Sequence, residues 1–182
     1  MPTHVHLHDG PDRAVIGTVG PPGARTYYLQ ARTGSRVTAV ALEEELSWGL
    51  AEAVDTLLDD LGAHDGRHAA GEVLDDGPLD EPVQQDFRMG QLRLLFDESR
   101  EQVVLEAYPM IEAATEEEAE ALCGTEPPEA LHLRLSVGAA RAFAERTRRV
   151  VTAGRPSCWA CGEPIGWDEH TCPEPGEQGE RP

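Results

Sequence analysis

The 182 residues read as an α+β fold in which a β-β-β-α unit occurs twice, giving an antiparallel sheet with two helices on one face, plus a C-terminal zinc knuckle. Three observations lead to this reading. Strand-like runs fall into two groups of three, and each group runs straight into a stripe of helical period. Placing Val37 on Leu131 aligns the third strand and the helix of both groups without a gap, with Gly17 and Gly90 at similar places in the first strands. The last 28 residues hold three of the four cysteines among prolines and glycines, in a stretch too short to bury a core of its own. The domain reading is a core at 1–154, with repeats at 13–62 and 87–154 around a linker at 63–86, and a zinc-binding tail at 155–182.

The first strand is "RAVIGTV" from Arg13, closed by "PPG"; the second is "RTYYLQAR"; "TGS" turns the chain into the third, "RVTAVAL". A helix follows from near Glu43, with Leu46, Leu50, Ala53, Val54, Leu57 and Leu61 as its apolar stripe. Glu43, Glu44 and Glu45 suit its first turn, where the peptide dipoles favour negative charge. The linker after Gly62 is rich in Gly, Asp and Pro and is expected to be irregular. In the second half, "FRMGQLRLLF" and "EQVVLEAYPM" flank the turn "DESR", and an acidic insertion precedes "LHLRLSV". Leu131, Leu133 and Leu135 alternate with His132, Arg134 and Ser136. Ser136 is placed to cap a helix that ends at Gly154 and buries Ala140, Phe143, Ala144, Thr147, Val150 and Val151.

Composition excludes several functions. The net charge is −19, so a nucleic-acid partner is not expected. All 15 basic residues are arginine, which removes Schiff-base chemistry and a lysine-dependent phosphate loop. No apolar run approaches the ~20 residues of a membrane span, and no secretory leader is recognisable, so the expected location is cytoplasmic with no membrane partner. The charge is uneven: residues 63–130 carry 18 acids against 4 arginines, whereas residues 131–154 carry 5 arginines and one acid. Arg141, Arg148 and Arg149 surround Glu145 at helical spacing. They read either as a solvated face with ion pairs, or as a site for a partner or an anion.

The tail "CWACGEPIGWDEHTC" carries the sharpest chemistry. Cys158 and Cys161 lie on one tight knuckle, and His170 and Cys172 can complete a tetrahedron around Zn2+, the expected cofactor. Cys123 in place of His170 is the alternative ligand, and a redox dithiol is disfavoured because no thioredoxin-like unit surrounds the pair. Four protein ligands make a closed, structural site. Trp159 and Trp167 either pack this module or face a partner. At the other end, His4, His6 and His8 alternate on one side of an extended segment, a pattern for a transition metal or for an edge strand with solvated histidines. His64 and His68, in the linker, are a weaker pair. On the sheet face opposite the helices the alternation collects Tyr28, Gln30, Gln102, Glu106, Tyr108, His132 and Arg134. Glu106, His132 and Arg134 are the candidate acid/base and anion-binding set, if they converge with Gln30 in a concavity; otherwise the face reads as a binding or subunit surface, or as the polar side an antiparallel sheet leaves to water.

"DRAVIGTVGPPGARTYYLQAR", "LDEPVQQDFRMG" and "AGRPSCWACGEPIGWDEHTCPEP" resemble the actinobacterial family called domain of unknown function 3090, over nearly the whole chain. The CxxCGxP and H-x-C-P elements of the tail match its pattern at Cys158, Cys161, Gly162, Pro164, His170, Cys172 and Pro173. The alternating N-terminal histidines and the tail tryptophans depart from it. Members of the family are encoded beside a kinase-like and a phosphomutase-like protein, and the family includes a regulator of a ParA-type partitioning ATPase. The resemblance therefore implies protein partners of that kind. The expectation is a non-enzymatic cytoplasmic adaptor or regulator, able to self-associate. The alternative is an enzyme or accessory subunit handling an anionic or phosphorylated small molecule on the polar sheet face.

Overall fold

Apolar alternation broken by turn residues builds two three-stranded meanders, each delivering its last strand into a helix. The computed structural model describes residues 2, 4–21, 24–62, 75–111, 115 and 127–153. The elements are β1 (His4–Asp9), β2 (Arg13–Val19), β3 (Thr26–Thr33), β4 (Arg36–Leu42), α1 (Glu44–Asp60), β5 (Phe87–Asp97), β6 (Gln102–Pro109), β7 (Glu129–Ser136) and α2 (Val137–Thr152). Gly34 and Ser35 form a two-residue loop between β3 and β4, with Gly34 at φ 60°, the backbone such a tight hairpin requires at that place. Between β5 and β6, the Asp97 carboxylate accepts from the main-chain N–H groups of Ser99 and Arg100 and holds the turn.

The seven strands form one sheet in the order β1-β7-β6-β5-β4-β3-β2. The expectation of an antiparallel sheet needs correction: β4 pairs with β5 in parallel, and so does β1 with β7. The first parallel pair follows from connectivity, because a chain leaving β4 through a long helix crosses over before it re-enters the sheet. The second involves a strand that belongs to neither β-β-β-α group. Parallel pairing of β4 with β5 covers only Val40–Phe87 and Ala41–Arg88. β1 also reaches the β3–β4 hairpin, where His8 meets Thr33 and Thr38.

Both helices bury their apolar sides in one core with Leu29, Val40, Leu105, Leu131 and Leu133. The stripe of α1 is rotated from the expected one: Leu50, Ala51, Val54 and Leu58 are buried, while Ala53 and Leu61 face solvent. Leu58 takes the inward place because the helical period carries Leu50 and Val54 onto it, and Leu61 sits past the last turn. In α2 the Ser136 hydroxyl accepts from Ala139 N–H at 3.1 Å, as a capping serine does. Ala140, Phe143, Ala144, Thr147 and Val151 are buried as expected, Val150 is half-buried, and Arg146 joins the buried side. Gly154 lies outside the described residues. Residues 75–82 cross the outer face of β2 and β3 as a strap, with Leu79 pressed onto Gly17, where a Cβ would stand 2.7 Å from the leucine side chain. Among the described residues, no helix is long and apolar enough to cross a membrane.

Candidate functional site

β1 and β7 pair in parallel with His4 opposite Glu129, His6 opposite Leu131 and His8 opposite Leu133. The three histidines therefore share the face that carries the core leucines of β7. Their surroundings differ along the strand. His4 is exposed, and its ring stands edge-on to that of His6 at 4.4 Å. His6 Nε2 lies 2.7 Å from Glu129 Oε1, and its Nδ1 lies 3.4 Å from Thr38 Oγ1. His8 is wholly buried, with Nε2 2.9 Å from Thr38 Oγ1 and Nδ1 2.8 Å from Thr33 Oγ1. Burial above all, then the Arg36 guanidinium and His6, lowers the His8 pKa to about 4, against a smaller opposing pull from Asp86. His8 is neutral at pH 7 and serves the hydrogen-bond chain. Among the described residues, the cluster that could hold a cation is His4, His6 and Glu129, whose ligand atoms lie within 4.8 Å of one another. Sequence reading named His8 as the third member. Glu129 takes that place because β1 pairs with a strand more than a hundred residues away.

The polar face of the second meander matches its expected alternation. Arg93, Glu106, His132 and Leu7 form one row across β5, β6, β7 and β1, and Leu95, Val104, Arg134 and Asp9 form the next. The Tyr108 hydroxyl donates to Glu106 at 2.8 Å; burial and then the Glu106 carboxylate raise the pKa of that phenol. Arg93 lies over the Tyr108 ring at 5.6 Å. Arg134 pairs with Asp97 at 3.4 Å. Gln30 does not join this set. It is buried under the strap, its amide exchanging hydrogen bonds with the Asp80 main chain at 3.0 and 2.7 Å. A cleft of about 320 Å³ opens elsewhere, between β2 and α2.

The strap is fixed by two arginines that sequence reading did not single out. Arg13 grips Asp75 through two nitrogens and reaches Asp80 at 3.1 Å. The Arg13 hydrogen bond, aided by Gly77 N–H and Arg146, lowers the Asp75 pKa to about 2 despite some burial. Arg146 donates Nε to Ile16 O at 3.2 Å and Nη2 to Gly77 O at 2.7 Å. A charged residue three places from Phe143, on the buried side of α2, was the available signal. Arg141 pairs with Asp55 and Asp59 of α1, Arg148 with Asp55, and Arg149 with Glu145 and Asp76. Cys123, Cys158, Cys161, His170, Cys172, Trp159, Trp167, His64 and His68 lie outside the described residues.

Residues 6–172 match the profile of a family of proteins of unknown function, DUF3090, and the chain belongs to that family. Comparison with curated proteins and with solved structures returns no match.

Proposed function

We propose that this member of the DUF3090 family is a non-enzymatic cytoplasmic adaptor or regulator that docks a protein partner on the outer face of β5, β6 and β7. One observation carries the reading: the outer face of the first meander is occupied by the strap, whereas the corresponding face of the second carries Arg93, Leu95, Tyr108 and His132, with Leu95 50% exposed. Arginine and tyrosine are among the residue types enriched at the energetic centres of protein interfaces, and Leu95 adds exposed apolar surface beside them. The failure of Gln30 to converge with Glu106, His132 and Arg134 speaks against a catalytic concavity. The partner class follows the family resemblance: a ParA-type ATPase or a kinase-like protein, with a second copy of the chain as a further protein partner. Arg141, Arg148 and Arg149, and Trp159 and Trp167 of the tail, are proposed as additional contacts. Cys158, Cys161, His170 and Cys172 hold a structural Zn2+ in this reading, supported by their donor chemistry and spacing. The net charge of −19 supports the exclusion of nucleic acid.

The test is binding of the purified chain to a purified ParA-type ATPase and to the kinase-like protein, compared with Arg93→Glu/Leu95→Glu. Both side chains lie on the outer face, so the variant should melt close to wild type while affinity falls at least about tenfold. Unchanged affinity would remove this face from the proposal. A second reading, an anionic small molecule bound at Glu106, His132 and Arg134, is favoured by one feature: His132 Nε2 is buried without a hydrogen-bond partner among the described residues. Perturbation of the His132 ring resonances by inorganic phosphate, lost in Arg134→Gln, would support it.

A further inference from the structure

We infer that His4, His6 and Glu129 form a binding site for a divalent transition-metal ion of the zinc and nickel class, with Thr38 and His8 as its outer shell. This goes beyond the docking reading and involves none of the tail cysteines.

The strand geometry collects the donors. His4 and His6 are two residues apart on β1 and share a face, and the parallel register puts Glu129 beside His4. Ligands at ~2.0–2.1 Å around a tetrahedral ion lie ~3.3 Å from one another. The three donor atoms here are within 4.8 Å of one another, so seating an ion needs an opening of the His6–Glu129 contact and a small inward turn of the exposed His4 ring. Two imidazoles and one carboxylate select zinc, nickel or cobalt over magnesium and calcium, which prefer all-oxygen shells. Three protein ligands at the surface leave at least one coordination position open.

The groups behind His6 make the second, independent observation. A ligating histidine uses one nitrogen for the metal and must place the proton of the other on an acceptor. His6 Nδ1 faces Thr38 Oγ1, which faces His8 Nε2, and His8 Nδ1 faces Thr33 Oγ1. Every member of this chain, hydroxyl or neutral imidazole, can donate and accept. Without an ion, the network assigns a proton to His6 Nε2, donated to Glu129. His6 Nδ1 then accepts from the Thr38 hydroxyl, Thr38 accepts from His8 Nε2–H, and His8 Nδ1 accepts from the Thr33 hydroxyl. With an ion on His6 Nε2, the same chain runs the other way. His6 Nδ1–H donates to Thr38, the Thr38 hydroxyl donates to His8 Nε2, and His8 Nδ1–H donates to Thr33. Both rings exchange a proton position from Nε2 to Nδ1, and no buried group loses its partner. The buried row is thus compatible with both the empty and the loaded site, unlike a surface histidine pair that meets an ion by chance.

The test uses the full-length, reduced chain, stripped by chelator and titrated with Co2+. Both sites give visible ligand-field absorption when Co2+ binds, but only thiolate ligation in the tail adds a near-ultraviolet sulfur-to-cobalt band, so visible absorption that grows without a matching rise in that band reports the histidine site. His4 is exposed, and His4→Ala is expected to retain the fold while weakening the thiolate-free component at least about tenfold; Glu129→Gln should do the same, and Thr38→Val should weaken it by roughly 10–100-fold. In parallel, nitrogen-15 NMR of the imidazoles with Zn2+ should move the His8 proton from Nε2 to Nδ1. Co2+ uptake unchanged in both His4→Ala and Glu129→Gln, or a His8 tautomer that saturating Zn2+ leaves unmoved, would overturn the inference.

Discussion

Acidification should destabilise this protein through the buried His8 imidazole before the Arg13-held Asp75 contributes. His8 is neutral and fully enclosed between β1 and the β3–β4 hairpin, with its pKa lowered from 6.5 to about 4. A histidine depressed in the folded state binds its proton more readily in the unfolded chain. Its stability contribution is therefore complete above the unfolded pKa and is lost as pH falls from 6.5 toward 4. At ~1.4 kcal/mol per unit, the full loss is about 3 kcal/mol, and between about pH 7.5 and about pH 5 it is about 2 kcal/mol. Asp75, depressed to about 2 by Arg13, has its window lower, between 3.8 and 2, so the two effects separate. The assay is urea unfolding in chelator across this pH range, for wild type and His8→Gln. Wild type should lose about 2 kcal/mol more than the variant, whatever the variant's stability at neutral pH. If His8→Gln is too unstable to compare, the His8 ring titrated by NMR in the folded wild type gives the same answer. Parallel pH slopes in the two proteins, or a His8 ring titrating near 6.5, would refute the reasoning.

Further outcomes can be checked with simpler measurements. Gly90→Ala should destabilise by about 2 kcal/mol or more, seen as a lower melting temperature, because its Cβ would lie 2.4 Å from Met110 Cα, where backbone must move. Changing Arg141, Arg148 and Arg149 together to Gln should cost no more than about 1 kcal/mol per ion pair in denaturant unfolding, since their side chains are a third to a half exposed. Freshly isolated reduced protein should carry about one thiolate-bound zinc per chain, lost in Cys172→Ser; metal analysis and thiol titration decide this. Fluorescence anisotropy should detect negligible duplex DNA binding at physiological salt.

Local pattern made part of this molecule legible in its sequence. The alternation of Leu131, Leu133 and Leu135 placed β7 and its polar side, and Ser136 announced the start of α2. Both are decided by neighbours a few residues away. The parallel β4–β5 pair had a signal that was available, because α1 between two strands makes a crossover. The β1–β7 pair had none, since His4 and Glu129 meet only through register at long range. The strap was unreadable for the same reason. Gln30 and Asp80 are each ordinary polar residues, and only the fold shows that they satisfy one another. Leu58 replaced Ala53 and Leu61 in the core because the helical period carries Leu50 and Val54 onto it, and Leu61 lies past the end of α1.

The docking account is tested most directly by amide hydrogen exchange on the complex with the ParA-type ATPase or the kinase-like protein. Peptides covering 91–97 and 102–108 should exchange more slowly when the partner is bound, and those covering the strapped face of β2 and β3 should be unchanged. Protection confined to α2 or to the strap, with β5 and β6 exchanging as in the free chain, would contradict the account.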